Sequence, residues 1–309
     1  MNQQYKIKVD FVWFGITGRY GIWKDGLWAA MQILEKEFDV EYKEPTADIR
    51  PDAVVLLWEA PCTINHPENG IWYKRICDLS NKKALLFAGG PLKQEWMWQF
   101  DHVFVESVIN AEECDVQGVK HSTAFGINSD IFKPMEVEKI YDVAVFGTCA
   151  SWKRQGMIGK AIKNKMVVAG RGQESDPQPF IDCTESGCKM FNELQPHKLN
   201  ELLAQSHCIV NGADFWGGGQ RVTLEAMSAG IPVICMSDSP KNIEYVEESG
   251  FGLVCEPNEE AIKNAVNELK TNPPNPQIGR DYIESKWTPQ HYADSLSVVI
   301  KELCLKSQS

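Results

Sequence analysis

The strongest indication of this chain's fold is a glycine-rich segment between two short apolar runs. Residues 217–230 read GGGQRVTLEAMSAG, and they lie between the apolar residues 207–211 and 231–235. This order predicts a strand, a loop, one short helix and a second strand. A glycine run that opens a helix leaves backbone N–H groups at the positive end of the helix dipole, where phosphate binds well. The segment therefore predicts a phosphate-binding loop that comprises Gly217, Gly218, Gly219, Gln220, Arg221 and Val222.

Glu225 lies about one turn into the predicted helix, within reach of a sugar hydroxyl beside a bound phosphate. Its neighbours Leu224, Ala226 and Met227 are apolar, so the helix is expected to be mostly buried. A partly buried carboxylate needs a polar partner, and a phosphate loop followed by a ribose ligand indicates a nucleotide site. The alternative is that the glycines only allow tight packing, as Gly230 does where it ends the helix. Glu225 would then be a solvated helix residue.

Apolar runs alternate with helical segments such as residues 27–38 along the whole chain, in two halves. Strands that alternate with helices predict parallel sheets covered by helices on both faces. The expected fold class is therefore α/β, with two Rossmann-like domains. The predicted strands are residues 7–14, 53–58, 84–88 and 103–105 in the first half and 141–146, 166–169, 208–210, 232–235 and 252–255 in the second.

The charged, proline-containing segment 133–139 precedes the restart of this pattern and is expected to join the domains. The first strand of each half ends at a glycine, in residues 12–17 (VWFGIT) and 144–148 (AVFGT). Doubly wound sheets bind ligands at the carboxyl ends of their strands, so a ligand cleft is expected between the domains. The predicted boundaries are residues 1–136 for the first domain, 137–280 for the second, and 281–309 for a C-terminal helix that packs back on the first domain.

The net charge of the 309-residue chain is −11. Duplex nucleic acid requires a basic face, so no nucleic-acid partner is expected, although a local cluster of Lys and Arg can still bind a small anion. No 18-residue apolar run occurs, and residues 1–10 lack the apolar core of a signal peptide, so no stable membrane insertion is expected. The ten cysteines have irregular spacings, which indicates reduced thiols and an expected cytoplasmic location.

The second half resembles the group 1 glycosyltransferases, which have the GT-B fold, in the order and spacing of several motifs. These motifs are FGINSDIFKP (residues 125–134), FGTCASWKRQ (146–155), VVAGRG (167–172), GGGQRVTLEAMSAGIPVI (217–234) and IEYVEESGFGLVCEPN (243–258). The RVTLEAMSAG version resembles a divergent branch that includes spore-coat-type glycosyltransferases. The first half is similar to the family only in outline. The resemblance implies two Rossmann-like domains whose parallel sheets face across a cleft, and transfer of a sugar from a nucleotide-diphosphate sugar, such as a UDP-sugar, in carbohydrate biosynthesis.

The resemblance also implies which residues bind the donor diphosphate. A lysine after the first strand of the family's C-terminal domain contacts the diphosphate, and Lys153 matches that position. A second basic residue often follows the strand-ending glycine, but here that position is Thr148, so Arg154 or Arg221 is expected to take its role. The predicted catalytic residues are therefore Lys153, Arg154 and Arg221.

The rest of the donor site follows from the same resemblance. Glu225 matches the carboxylate that contacts the ribose in the family. The family usually has a second glutamate eight residues earlier, which holds the donor sugar, but this chain has Gly217 there. Gly147, Thr148 and Gly170 complete the set of predicted donor-binding residues.

No metal and no cofactor are expected. The sequence contains no Asp-x-Asp, the motif with which glycosyltransferases of the other major fold hold a divalent cation, and its histidines and cysteines lack metal-ligand spacing. In a GT-B enzyme, protein cations and helix N-termini stabilise the leaving diphosphate. The resemblance implies a retaining reaction without a clear protein nucleophile.

Two other functional classes stay open on the sequence. A non-catalytic subunit that binds a nucleotide sugar is favoured by Gly217 in place of the family's glutamate. A GT-B sugar-nucleotide epimerase would need a set of acid and base residues around the sugar, which the sequence does not show convincingly.

A saccharide or glycan acceptor is expected on the N-terminal domain, because seven of the ten tryptophans precede residue 100 and aromatic rings stack on sugar faces. Trp13 and Trp28 could instead belong to the core. Residues 1–136 hold 14 Lys and Arg against 20 Asp and Glu, so this domain is not expected to bind anionic membranes. The acceptor-side candidates are Gly15, Gly18, Tyr20, Trp23, Trp58, Gly89, Gly90 and Trp96.

Overall fold

The computed structural model describes residues 6–13, 25–59, 69–87, 99–215 and 220–305. The chain divides into two compact units. Unit 1 comprises residues 1–126 together with 289–309, and unit 2 comprises residues 127–288. Each unit is built on one six-stranded parallel sheet.

Unit 1 has the strand order β2-β1-β3-β4-β5-β6, with every described neighbouring pair parallel. The order reverses between β1 and β3, so the carboxyl ends of these two strands form the topological switch point where such sheets bind ligands. The elements described before the final helix are β1 (Lys8–Val12), α1 (Gly26–Leu34), β2 (Asp39–Lys43), β3 (Val54–Glu59), α2 (Asn69–Cys77), β4 (Lys83–Phe87), β5 (His102–Val105), α3 (Val108–Gln117) and β6 (His121–Thr123).

Unit 2 has the strand order β12-β11-β10-β7-β8-β9, again all parallel. The order reverses between β7 and β10, which places the switch point at their carboxyl ends. The elements described in this unit are β7 (Tyr141–Phe146), α4 (Gln155–Ile162), β8 (Met166–Ala169), α5 (Gln178–Glu185), β9 (Lys189–Phe191), α6 (Pro196–Ala204), β10 (Ser206–Asn211), α7 (Gln220–Ser228), β11 (Val233–Met236), α8 (Pro240–Ser249), β12 (Gly252–Cys255), α9 (Glu259–Thr271) and α10 (Pro276–Lys286).

The final helix, α11 (Pro289–Leu305), belongs to unit 1. Its buried side chains recur every three or four residues, which gives the helix one apolar face. That face packs into the core around α1, whose first turn is capped by Asp25 through a hydrogen bond from the Trp28 N–H at 2.9 Å. The buried residues of α11 are Tyr292, Ala293, Leu296, Ser297, Val299, Ile300 and Leu303.

The nine predicted strands are all present: β7, β8 and β12 have the predicted bounds, and the ends of the other six differ by at most two residues. Three further strands, β2, β6 and β9, were not predicted. Each lies at the edge of its sheet and carries a mostly polar or partly exposed sequence, such as DVEYK in β2. An edge strand pairs on one side only and need not be apolar, so it lacks the signal that revealed the central strands.

The division between the units lies at Gly126, ten residues before the predicted boundary at 136. The segment that follows Gly126 is anchored in unit 2, because Phe132 is buried there and its carbonyl accepts a hydrogen bond from the Ser228 hydroxyl. The Asn200 side chain donates to the Lys133 carbonyl at 3.0 Å. The C-terminal segment also differs from the single predicted stretch 281–309, since α10 ends at Lys286 and α11 begins at Pro289.

No helix among the described residues has the length and apolar character that a membrane span requires.

Candidate functional site

The loop after β7 carries the predicted diphosphate lysine at the switch point of unit 2. The strand ends at Gly147, which has a φ of 108°. A short 3₁₀ turn, Ser151–Lys153, follows, and α4 begins directly after Arg154. Lys153 and Arg154 therefore sit between the carboxyl end of a central strand and the N-terminus of a helix, where the helix dipole favours an anion.

Gly147 and Gly170 allow the loops after β7 and β8 to approach each other closely. A Cβ atom on Gly170 would lie 1.8 Å from the Gly147 carbonyl oxygen, which is far inside any permitted contact. The Gly147 N–H in turn donates to the Ala169 carbonyl at 3.0 Å. Both predicted glycines are thus explained by backbone packing, and a role for either in donor binding stays a prediction.

The loop after β10 packs against the backbone of Lys153. A Cβ atom on Gly212 would lie 2.3 Å from the Lys153 carbonyl oxygen, so only glycine allows this approach. The Asp214 N–H donates to the Trp152 carbonyl at 3.1 Å. The ends of the two switch-point strands are therefore locked together, and Lys153 lies at the point where they meet.

Lys153 has the electrostatic properties of a residue that binds an anion. Its Nζ approaches Gly147, where an added Cβ would be 2.7 Å away, and it lies 5.0 Å from the centre of the Trp152 ring. The side chain is half-buried, and no carboxylate among the described residues forms an ion pair with it. Burial lowers the pKa of Lys153 from 10.5 to about 8, with a small opposing effect from Cys149. A bound anion would raise this pKa again, because it stabilises the charged form.

Arg154 differs from Lys153 because its charge is already paired. Its Nη1 donates to Asp238 Oδ1 at 2.8 Å, and its Nη2 bonds the other carboxylate oxygen, so the pair is bidentate. This guanidinium holds the pKa of Asp238 below its usual range, and the carboxylate raises the pKa of Arg154 in return. Any contact of Arg154 with a diphosphate would compete with Asp238.

Gln155 holds the loop in place, a role that the sequence analysis did not assign. Its side chain is completely buried, donates to the Thr148 carbonyl at 2.9 Å and accepts from the Ala150 N–H at 3.3 Å. Thr148 itself is exposed. The sequence gives no clear signal for this role, because a glutamine at the start of a helix is ordinarily exposed and only its burial shows that the amide needs backbone partners.

Glu225 and Arg221 both lie on α7, the helix that follows β10. Glu225 is 7% exposed in the second turn, and Arg221 is half-buried in the first turn together with Val222. The burial of Glu225 agrees with the expected buried helix. Gln220 is the first residue of this helix, so its backbone lies at the predicted anion-binding end.

A buried polar network beside α7 was also not predicted. The Asn211 amide donates to the Thr223 hydroxyl and to Asn242 Oδ1, both at 2.9 Å, and the Thr223 hydroxyl donates to the same Asn242 oxygen at 2.9 Å. The Asn242 amide donates to the Ser239 hydroxyl at 3.0 Å. These contacts connect the end of β10 with α7 and the start of α8, so they fix the orientation of the helix that carries Glu225.

Several predicted residues lie outside the described residues. They are Gly15, Gly18, Tyr20, Trp23, Gly89, Gly90, Trp96, Gly217, Gly218 and Gly219. Among the acceptor-side candidates, Trp58 is described. It is half-buried in unit 1 and packs edge-on against Trp13, with ring centroids 4.5 Å apart. Trp13, Trp28 and Trp58 all pack against the core of this unit.

Within the described part of the chain, no group of three or more His, Cys, Asp or Glu side chains has the arrangement of a metal site.

Comparison by sequence finds a similarity in the segment that carries this site. Residues 149–285 match the family model for glycosyl transferases group 1. A search of curated proteins by sequence finds no match. The matched segment lies in unit 2 and includes Lys153, Arg154, Arg221 and Glu225.

Comparison by structure extends the similarity to both units. Sucrose-phosphate synthase from Thermosynechococcus elongatus aligns with a TM-score of 0.75 at 11% identity, covering 98% of this chain and 100% of that protein. HepE from Anabaena, in complex with UDP and glucose, aligns with a TM-score of 0.69 at 13% identity, covering 96% and 99%. AviGT4, a glycosyltransferase of avilamycin A biosynthesis, aligns with a TM-score of 0.66 at 15% identity, covering 97% and 98%. The predicted GT-B fold is therefore confirmed.

Proposed function

We propose that this protein is a glycosyltransferase that moves a sugar from a nucleotide-diphosphate sugar to a saccharide or glycan acceptor. The observation that carries the proposal is Lys153, a half-buried lysine with a lowered pKa at the switch point of a domain that matches group 1 glycosyltransferases. Among the described residues, no carboxylate neutralises this cation. An anionic ligand that binds there gains a charge-assisted hydrogen bond and stabilises the ammonium form.

Transfer requires stabilisation of the leaving diphosphate. Breaking the anomeric C–O bond leaves negative charge on the diphosphate and positive charge on the sugar. A cation that the fold already holds in place lowers this barrier, because it needs no reorganisation as the charge develops. We assign this role to Lys153, and we place Arg221, in the first turn of α7, on the same anion.

We further propose that the reaction is metal-independent and retains the anomeric configuration. Metal independence rests on the sequence, which has no Asp-x-Asp, and on the positive charge of Lys153. Full turnover in EDTA is the expected result, whereas a loss that Mg²⁺ or Mn²⁺ restores would contradict the proposal. Proton NMR of the first product formed would distinguish retention from inversion.

Donor identity is best tested by calorimetry with UDP, GDP and their glucose and mannose derivatives. HepE has been observed with UDP, with UDP and glucose, and with UDP-glucose, so UDP-glucose is the first donor to test. We expect one nucleotide series to bind and its sugar derivative to be hydrolysed slowly without an acceptor. Failure of all of them to bind would refute the proposed function.

Glu225 is proposed to bind the ribose of the donor. Glu225→Gln removes a charged acceptor, so affinity for the nucleotide should fall about ten-fold or more, since hydrogen bonds to charged groups contribute roughly 1.5–3 kcal/mol. Glu247→Gln, an exposed carboxylate on α8, is the matched control and should leave affinity unchanged. Unchanged affinity in a folded Glu225→Gln protein would rule out the ribose contact.

A non-catalytic nucleotide-sugar-binding subunit is the second candidate, because Gly217 replaces the glutamate that usually holds the donor sugar. A subunit would bind the nucleotide sugar but would neither hydrolyse nor transfer it. Binding without any turnover, across several acceptors, would therefore favour the subunit over the transferase.

A further inference from the structure

Trp152 presents an exposed ring at the carboxyl end of β7. The residue lies in the 3₁₀ turn Ser151–Lys153 and is 40% exposed. A tryptophan ring in water leaves a large apolar area uncovered, so a ligand that covers this ring gains free energy. The backbone N–H of Asp214 bonds the Trp152 carbonyl, and the next residue, Phe215, is a second exposed aromatic residue, at 45% exposure.

The backbone that carries Trp152 is fixed on both sides. The Trp152 carbonyl accepts a hydrogen bond from the Asp214 N–H at 3.1 Å. The preceding residue, Ser151, donates to Asp176 Oδ2 from its N–H at 2.6 Å and from its hydroxyl at 2.7 Å. Both hydrogen bonds stabilise the ionised Asp176 carboxylate. The pKa of Asp176 therefore lies below its usual range, mainly because of the Ser151 hydroxyl. A preorganised backbone reduces the entropy cost of placing a ring against this side chain.

The distance between the Trp152 ring and Lys153 indicates which part of the ligand lies against the ring. Lys153 Nζ lies 5.0 Å from the centre of the Trp152 ring. In a nucleotide-diphosphate sugar, the transferred sugar is bonded directly to the terminal phosphate, whereas the nucleobase is separated from that phosphate by the ribose and the other phosphate. If Lys153 binds the terminal phosphate, the sugar rather than the base comes next to Trp152.

We propose that Trp152 stacks against the apolar C–H face of the donor's transferred sugar, in a subsite next to the diphosphate lysine. This inference rests on the proposed function. The group that the site recognises is a pyranose ring with an apolar face. Trp152 is a binding residue in this proposal and takes no part in bond breaking.

The test compares nucleoside diphosphate with nucleotide sugar in the wild type and in Trp152→Phe and Trp152→Leu. Calorimetry uses UDP and UDP-glucose, or GDP and GDP-mannose if the wild type binds that series. Trp152→Leu should weaken binding of the nucleotide sugar about 3- to 10-fold, as expected for loss of an aromatic stacking contact, and change the nucleoside diphosphate less than about two-fold. Trp152→Phe should retain most of the affinity. Trp72→Ala, which removes a 38%-exposed tryptophan from unit 1, is the matched control and should change neither affinity.

Each other outcome overturns the proposal in a recognisable way. An equal loss of both ligands in Trp152→Leu would show that the ring acts on the nucleotide or through Lys153 rather than on the sugar. Unchanged affinity for the nucleotide sugar would show that the ring contacts no ligand. If the wild type bound neither nucleotide series, the proposed function would fall together with this inference, whereas the first two outcomes leave the proposed function standing.

Discussion

Replacing Lys153 by methionine should stabilise the free protein while it weakens binding of a nucleoside diphosphate. Methionine has a similar length and an apolar side chain, so it fills the half-buried position without a charge. The two effects have opposite signs because the buried ammonium group is costly in the free protein and useful only when an anion is present. A residue with a purely structural role would not separate them.

The size of the stability effect follows from the pKa. Burial lowers the pKa of Lys153 from 10.5 to about 8, and one pKa unit corresponds to about 1.4 kcal/mol. At pH 7 the amine is charged in both the folded and the unfolded chain, so the folded state bears a cost of up to about 3 kcal/mol. Partial solvent exposure reduces this figure, and we expect the free energy of unfolding to rise by about 1–3 kcal/mol in Lys153→Met.

The pH dependence of the free energy of unfolding independently tests whether Lys153→Met is stabilising. Between pH 8 and 10.5 the folded protein has released the Lys153 proton and the unfolded chain still binds it, so stability from this group rises with pH. The advantage of Lys153→Met over the wild type should therefore be largest below pH 8 and disappear near pH 10.5. Denaturant unfolding of both proteins across this range measures the difference directly, and Lys165→Met, an exposed lysine of the same unit, is the control.

Binding measurements complete the test. Half of the Lys153 amines are neutral at pH 8, so binding a diphosphate should take up about half a proton there, which calorimetry in buffers of different ionisation enthalpy detects. Lys153→Met should abolish this uptake and weaken binding at least about ten-fold. A variant that is less stable than the wild type at pH 7, or that binds the diphosphate equally well, would refute the reasoning.

Two further predictions concern the framework of each unit. Gly170→Ala should destabilise the protein by about 3 kcal/mol or more and weaken nucleotide binding, because its Cβ would meet the Gly147 carbonyl at 1.8 Å. Gly118→Ala is the control, because the new Cβ there meets nothing within 4 Å. Thermal unfolding should show that this variant loses only about 1 kcal/mol of stability, owing to the positive φ of residue 118. Arg50→Met should cost unit 1 about 3 kcal/mol in denaturant unfolding, since it removes the 2.7 Å ion pair of the completely buried Asp10. A loss below about 1 kcal/mol would mean that water or the remaining partners satisfy this carboxylate.

The sequence alone was sufficient for the fold class because the central strands and their following loops have strong local signals. Buried parallel strands contain continuous apolar runs, such as the buried residues VAVF at the end of β7, and glycines mark the points where strands end. Three of the four edge strands, β2, β6 and β9, were missed because each is paired on one side only and carries polar or partly exposed residues. The start of α7 at Gln220 could also be predicted, because a glycine run precedes it.

The candidate site was predicted in part. Glu225 was predicted from its place one turn after a glycine loop, whereas Lys153 was predicted from the resemblance of its segment to a known family. The partners of the site residues were not predicted, because they come from distant parts of the chain. Arg154 pairs with Asp238, 84 positions away, and Asn211 bonds Asn242, 31 positions away.

The sequence by itself determined which segments form strands and helices, where the chain turns at glycine, and which cation follows the first strand of unit 2. Only the tertiary structure decided that β7 and β10 are neighbours at a switch point, that Gly212 brings the two loops into contact, and that Lys153 is half-buried there with a lowered pKa. Periodicity and backbone conformation depend on residues a few positions apart, whereas burial and charge pairing depend on which distant segments the sheet order brings together.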